Sequence, residues 1–276
     1  MTDTTEERKT TKNRPLAVIT GASSGIGYEL AKVFAENGFD LIIAAEDAGI
    51  VDASNSFRAL GASVETVQTD LARYDGVDEL IQCIEQVTDR GTPIDTLVLN
   101  AGVGVSGEFT RTDLDAEINL VNLNIVSMIH LTKHVLPHFV NRGHGRLLFT
   151  SSIAATMPGP YYAVYAASKA FVQSFAEAIR YEVKDKGVTV TALQPGATDT
   201  NFFERAHMMN TKAAVGPKDD PADVAKDGFE ALMAGRDHVV AGSLKNNFQA
   251  GLAKLRSQSH SAAVQARDVR PGSAQE

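Results

Sequence analysis

Short apolar runs alternate with longer amphipathic ones along most of this chain. That alternation restricts the fold more than any other property of the sequence. The short runs lie at 16–20, 41–44, 64–68, 96–99, 146–150, 188–193 and 238–240. Between them the apolar spacing predicts helices at 25–37, 50–60, 76–89, 115–141 and 161–184, with another at 221–234. A helix between two strands returns the chain to the same end of the sheet, so successive strands run parallel. The run at 41–44 is apolar throughout, as expected when both sheet faces are covered. The pattern predicts an α/β fold: a doubly wound parallel sheet between two helix layers, three layers in all. Such sheets hold ligands beyond the C-terminal ends of their strands, so candidate chemistry should stand just after strands. One domain of this type absorbs the body of a 276-residue chain, here predicted over 15–243. A polar N-terminal tail at 1–14 and a C-terminal extension at 244–276 remain. The stretch 257–276 is rich in Ser, Gln, Ala and charge and reads as a loosely held tail or an oligomer arm.

The first strand–helix junction reads Thr20-Gly-Ala-Ser-Ser-Gly-Ile-Gly27. Glycines 21, 25 and 27 remove Cβ atoms where the backbone must turn and where a pyrophosphate must approach. The following helix then presents free N–H groups and a positive dipole end to the anion. This spacing differs from Gly-x-Gly-x-x-Gly, but the mechanics are the same. Gly21-Ala-Ser-Ser-Gly25 also matches the Gly-x-Ser-x-Gly nucleophile elbow of hydrolases. That alternative needs a histidine in a later loop after a strand, and neither His207, His238 nor His260 stands in a compelling one.

A second constellation follows the strand at 146–150. Ser152 stands thirteen residues before Tyr165, and Tyr165 and Lys169 share one helix face at i and i+4. An ammonium beside a phenol favours the phenolate and should lower the tyrosine pKa toward working pH. A tyrosine so tuned exchanges a proton with an alcohol or carbonyl oxygen, and a nearby serine hydroxyl holds that oxygen. Tyr and Lys four apart are otherwise a packing pair, so the reading rests on the glycine loop, the serine and the pair together.

With these motifs the sequence resembles the short-chain dehydrogenase/reductase family, the branch with a single Rossmann-fold domain. The match runs from about Pro15 to Val240. It implies an oxidoreductase that moves a hydride between a nicotinamide cofactor and an alcohol or ketone. Gly21, Ser23, Ser24, Gly25, Ile26 and Gly27 match the family's cofactor loop, and Tyr165 through Lys169 its Tyr-x-x-x-Lys motif. The resemblance makes Tyr165 the acid/base, Ser152 the holder of the substrate oxygen, and Lys169 a ribose ligand as well as the tyrosine's partner. It makes Asn124, in the helix at 115–141, the support of a proton-relay water. Asp70 and Leu71 resemble the pair at the adenine. Asn100, Ala101 and Gly102 resemble the family's Asn-Asn-Ala-Gly turn, with Leu99 in place of its first asparagine. Pro195, Gly196, Thr198 and Thr200 resemble the segment at the nicotinamide, where Thr200 would meet the carboxamide. A homodimer or homotetramer is implied, and no metal. The alternative is a cofactor-sensing protein on the same fold, and no catalytic residue is lost to favour it.

The end of the second strand selects the cofactor, because a carboxylate there bonds a ribose 2′-OH and repels a 2′-phosphate. The chain reads Ala44-Ala45-Glu46-Asp47, with no Lys or Arg at 44–52 or 21–27. NAD is therefore expected, with NADP as the alternative. The formal charge of −8 argues against a nucleic-acid scaffold. A lone cysteine, Cys83, excludes an intrachain disulfide and reads as packing. No apolar run reaches the roughly 20 residues a membrane span requires, and the N-terminal segment lacks the apolar core of a signal peptide. A cytoplasmic setting without membrane partners is the expectation. His130, His134 and His138 recur along one helix, but nothing completes a zinc site, so solvent or subunit contact is expected there.

Overall fold

The computed structural model describes residues 14–242 and 258–275. Residues 1–13 of the tail predicted at 1–14, the stretch 243–257 and residue 276 lie outside the described residues.

Strands β1 (Leu16–Thr20), β2 (Asp40–Ala45), β3 (Val64–Gln68), β4 (Ile94–Leu99), β5 (Gly145–Thr150), β6 (Val188–Gln194) and β7 (His238–Val240) form one sheet. Their order is β3-β2-β1-β4-β5-β6-β7, and every pair is parallel. Val18 lies opposite Ile42 of β2 on one side and Leu97 of β4 on the other. The chain thus winds outward from β1 to β3, returns at β4 and winds the other way. A crevice opens above β1 and β4, where the two windings part.

Successive side chains of a strand point to opposite faces, and here both faces are apolar. Ala17, Ile19, Leu41, Ile43, Val98 and Leu148 face one layer, made of α1 (Gly25–Glu36), α2 (Gly49–Ala59) and the helix Pro221–Met233. Val18, Ile42, Leu97, Leu99 and Leu147 face the other, made of α3 (Tyr74–Asp89), the helix Ser127–Arg142 and the helix Ala163–Val183. Phe34 of α1 packs edge-on against Phe39 and Phe229 at 4.9 Å each. Each fully buried Leu, Ile or Phe of these layers contributes on the order of 2 kcal/mol.

The helix expected at 115–141 is interrupted. It consists of α4 (Leu114–Val121), a π turn (Asn122–Val126) and α5 (Ser127–Arg142). The π turn brings Asn124 wholly inside, at 0% exposure. The helix α6 (Ala163–Val183) follows β5 and a 3₁₀ turn (Ile153–Thr156). After β6 come the short α7 (Phe202–Arg205) and α8 (Lys212–Val215), then α9 (Pro221–Met233).

Arg14 belongs to the body: its guanidinium donates to the carbonyls of Gly61, Ala35 and Phe39 and lies 3.2 Å from Asp40. The C-terminal stretch forms α10 (Gln258–Val269) and a last 3₁₀ turn (Ser273–Gln275) instead of a loose tail. Val269 and Ser273 are buried. Ser273 Oγ accepts from Lys212 N at 3.0 Å, and Ala274 N donates to Asn210 O.

Among the described residues no helix is long and apolar enough to cross a membrane, and no His, Cys, Asp or Glu cluster could hold a metal ion. Of the three histidines His138 is exposed, whereas His130 and His134 are partly buried. They turn onto α3, 3.4 Å from Asp78 and Glu85, and His130 stacks on Tyr74. Cys83 packs against the core on α3, where burial pushes its thiol pKa up.

Candidate active site

The C-terminal ends of β1, β4, β5 and β6 open into one cleft of about 920 Å³. Its floor at β1 is the glycine loop. Gly21 adopts φ +70°, and a Cβ there would stand 2.9 Å from Ala101 Cα. A Cβ on Gly27 would lie 2.0 Å from Gly21 O and 2.4 Å from Asn100 Nδ2. The loop can hug β4 only because these side chains are missing. Ser24 is the N-cap of α1, yet its side chain makes no capping bond, and the first turn carries no acid. The helix end therefore offers its N–H groups to an anion in the cleft. Ile26 lines the same floor.

The β4 turn is clamped onto this loop by a residue that the sequence reading passed over. Thr20 Oγ1 accepts from the N–H groups of Asn100 and Ala101, both at 3.0 Å. Asn100 Nδ2 donates to Thr20 O at 3.2 Å, and Asn100 Oδ1 accepts from Thr150 Oγ1 at 3.2 Å. Asn100 thus lines the cleft with its amide engaged in stitching β1, β4 and β5. Ala101 and Gly102 complete that wall.

Ser152, Tyr165 and Lys169 converge beyond β5. Ser152 caps the 3₁₀ turn, its Oγ accepting from Ala154 N at 3.1 Å. It also lies close enough to the Tyr165 phenol to oppose the rise in its pKa. The Tyr165 ring lies between Tyr162, stacked at 5.8 Å, and Phe202 at 5.1 Å. Lys169 is 4% exposed and donates from Nζ to Thr150 O at 2.9 Å. Burial lowers the Lys169 pKa to about 8. Burial also raises the Tyr165 pKa to about 12, against the opposing hydrogen bond from Ser152. The lysine-lowered phenol expected from the sequence is thus reversed in this arrangement. Nζ stands 5.8 Å from the phenol ring centroid, and desolvation outweighs any help at that range.

Asn124 lies beneath the pair. Its Oδ1 accepts from Val103 N at 2.9 Å, and its Nδ2 donates to Val103 O and to Ser168 Oγ. A Cβ on Gly102 would meet Asn124 Oδ1 at 3.1 Å and Lys169 Nζ at 3.3 Å, so that glycine keeps the two groups adjacent. The Asn124 amide is fully occupied in holding the loop after β4.

The remaining predicted residues also line the cleft. Asp70 closes a turn onto Ala72 N and Leu71 is buried beside it. Pro195 O accepts from Ile153 N, Thr198 Oγ1 donates to Gly196 O, and Thr200 Oγ1 accepts from Phe202 N. Glu46 lines the rim at the end of β2, and Asp47 carries the contacts there. Its carboxylate accepts from Ser23 Oγ at 2.7 Å and Gly49 N at 3.0 Å, and Arg205 Nη2 stands 3.8 Å away. The absence of a base in the sequence window is thus corrected in space, because α7 delivers Arg205. Ser23 donates to that carboxylate, and among the described residues no histidine lines the cleft beside it.

Met157, Tyr162, Phe202, Phe203 and Met208 add apolar surface to the cleft, and Lys212, Lys218 and Asp219 line it too. Phe203 and Met208 are buried with Ala214 and Val269 in a third cluster, whereas Met209 is exposed. Val264, Gln265 and Asp268 of α10 form the outer wall.

Comparison with known proteins agrees with this geometry. Residues 15–210 match the family model described as short chain dehydrogenase. The Mus musculus protein 17-beta-hydroxysteroid dehydrogenase type 3 is 34% identical over 203 residues, which are 72% of this chain and 65% of that protein. The chain therefore spans just under two thirds of that relative's length. Dehydrogenase/reductase SDR family member 7B of Danio rerio is 30% identical over 243 residues, 83% of this chain and 77% of that one. A solved short-chain dehydrogenase from Sphingobium yanoikuyae, in complex with NADPH, superposes with a TM-score of 0.75 at 28% identity, covering 82% of this chain and 87% of its own. By motif, sheet order and sequence similarity, the chain belongs to the short-chain dehydrogenase family.

Proposed function

We propose that this chain interconverts an apolar secondary alcohol and its ketone with a nicotinamide dinucleotide. The observation that carries this reading is the convergence of Ser152, Tyr165 and Lys169 on the cleft that the glycine loop floors. A dinucleotide fits the residues present: the loop's missing Cβ atoms, the acid-free first turn of α1, and a cleft continuous from Glu46 to Thr200. When bound, the nicotinamide supplies the hydride or receives it.

The chain's own residues then orient and handle protons. Ser152 holds the substrate oxygen beside the phenol. Tyr165 donates its proton to a carbonyl oxygen in reduction, and in oxidation its phenolate form takes the proton from the alcohol. Lys169 binds ribose and, with the buried Asn124 below it, stiffens the wall after β4. Gly21, Ser24, Gly25, Ile26 and Gly27 receive the pyrophosphate. Asp70 and Leu71 flank the adenine, Asn100, Ala101 and Gly102 the adjoining ribose. Pro195, Gly196, Thr198 and Thr200 flank the nicotinamide. Glu46 and Asp47 favour NAD over NADP.

The apolar side chains Met157, Phe202, Phe203 and Met208 in the lining support a hydrophobic small-molecule substrate, in keeping with the hydroxysteroid named for the mouse relative. Exposed Leu114, Ile118, Val126 and Ile129 on α4, the π turn and α5 support pairing with a second copy. We place the chain in the cytoplasm. No observation favours the sensing alternative.

Tyr165→Phe tests the reading. Turnover of a panel of secondary alcohols and ketones should fall by at least about a thousandfold. Binding of NADH, followed by its fluorescence, should stay within about threefold. Near-native kcat in this variant would overturn the mechanism.

A further inference from the structure

Helix α7 carries two consecutive phenylalanines, and they do different things. Neighbouring residues of a helix point about 100° apart, so the pair cannot share one environment. Phe203 is buried and anchors α7 in the third apolar cluster with Ala206 and Met208. Phe202 is half-buried and enters the cleft instead. Its ring stands 5.1 Å from the Tyr165 ring, tilted by 48°. Rings at that separation are in van der Waals contact, so no substrate atom fits between them. The backbone holds Phe202 from both ends: its N–H donates to Thr200 Oγ1 at 3.3 Å, and its carbonyl accepts from Ala206 N at 2.9 Å.

Behind the ring lies Gly104, buried in the loop after β4. A Cβ there would stand 2.7 Å from Phe202 Cζ, 3.0 Å from Phe202 Cε2 and 3.2 Å from Ala206 Cβ. Gly104 is outside the left-handed region, so its missing side chain serves the ring and not the turn. The ring is thus held between the Tyr165 phenol and the backbone of that loop, and it cannot retreat from a ligand. We infer that Phe202 is a specificity-determining residue, which limits the group on one side of the reacting carbon to one or two carbons, and that Gly104 positions it. Apolar side chains elsewhere in the lining, Met157, Met208, Val264 and Val269, receive the longer group. The substrate class is then an apolar ketone or secondary alcohol, short on one side of the reacting carbon and extended on the other. The assignment rests on the dehydrogenase reading, because Tyr165 fixes where the reacting carbon lies, and it adds a size limit to that reading.

The test uses the straight-chain nonanones with the carbonyl at carbon 2, 3, 4 or 5. They share one formula and differ only in the length of the shorter side. With NADH, kcat/KM of the native chain should fall by at least about tenfold from 2-nonanone to 5-nonanone. Phe202→Ala should raise kcat/KM for 5-nonanone by about fivefold or more and flatten the series to under about threefold. A general loss of structure would lower every isomer instead. Gly104→Ala pushes the ring forward against the phenol and should steepen the series by about threefold. In the Phe202→Ala background the same substitution should change it by under about twofold, because the ring it acts on is gone. A native chain that uses all four isomers equally, or a series that keeps its slope in Phe202→Ala, overturns the assignment. Calorimetry on the Tyr165→Phe protein saturated with NADH reads the same order as Kd, without turnover, and 2-nonanone binding no more tightly than 5-nonanone would overturn it as well. A native chain that reduces none of the isomers would defeat the dehydrogenase reading, while the order of the Kd values would still decide the role of Phe202.

Discussion

Lys169 shows how a residue of the cleft can work against the fold that holds it. Its ammonium is buried at 4% exposure with one carbonyl partner, and its pKa falls from 10.5 to about 8. The unfolded chain keeps the proton up to the ordinary lysine value. Between about pH 8 and 10.5 the unfolded state therefore binds more protons than the folded one, and stability rises with pH through that window. Below pH 8 both states are protonated and the full burial cost remains. Lys169→Met should stabilise the chain at pH 7 by up to roughly 3 kcal/mol, while abolishing turnover. That gain should vanish by pH 10.5. Urea unfolding of both proteins at pH 7, 9 and 10.5 would measure it, and a gain independent of pH would contradict the argument. The Tyr–Lys pair was legible from its spacing. The directions of its pKa shifts were not, because desolvation depends on what the helix is packed against.

Among the elements, the junction of β1 and α1 carries the tightest steric demand. A Cβ on Gly27 would meet backbone at Gly21 O, 2.0 Å away, which no rotamer change relieves. Gly27→Ala should cost roughly 3 kcal/mol of stability and weaken NADH binding by more than about tenfold. Gly38, at the end of α1 with φ +84°, has nothing within 4 Å of its missing Cβ. Gly38→Ala should cost only about 1 kcal/mol, through backbone strain, and leave NADH binding unchanged. Denaturant melts and fluorescence titrations of the two variants separate the roles, and equal effects would remove the special claim on Gly27. The sequence placed the loop on this junction because strand and helix periodicities meet there. The π turn within the helix that follows β4 was beyond it. A one-residue insertion in a helix leaves the apolar spacing almost unchanged, yet it brings Asn124 inside.

At the scale of the whole molecule, charge at the rim of the cleft is set by chain segments far apart in sequence. Asp47 ends the β2 side, and Arg205 arrives from α7 to stand 3.8 Å from it. Both groups are partly exposed, so the pair itself contributes little to stability. Its weight is on the cofactor: Glu46 and Asp47 outnumber the one arginine, and a 2′-phosphate would meet a net negative rim. Activity with NADH should exceed that with NADPH by at least about tenfold in kcat/KM. Asp47→Ser should release Arg205 and Ser23 and narrow that ratio by about fivefold or more, chiefly by lowering KM for NADPH. Equal use of both cofactors by the native chain would refute the role assigned to the acids. The same scale corrected the chain's end. Part of a stretch read from composition as a tail, α10, lines the cleft instead.

The sequence alone determined the alternation of strands and helices, hence the doubly wound parallel sheet. It also set the sheet end at which Gly21, Ser152, Tyr165 and Lys169 meet. These follow from local periodicity and from motifs whose spacing is itself the geometry. Tertiary structure decided what surrounds those groups. It buried Lys169 and Tyr165, closed the Asn124 and Asn100 amides onto neighbouring backbone, brought Arg205 to Asp47, and laid Gln265 on Tyr162. Burial and long-range pairing depend on how separate elements stack, and no window along the chain contains that information.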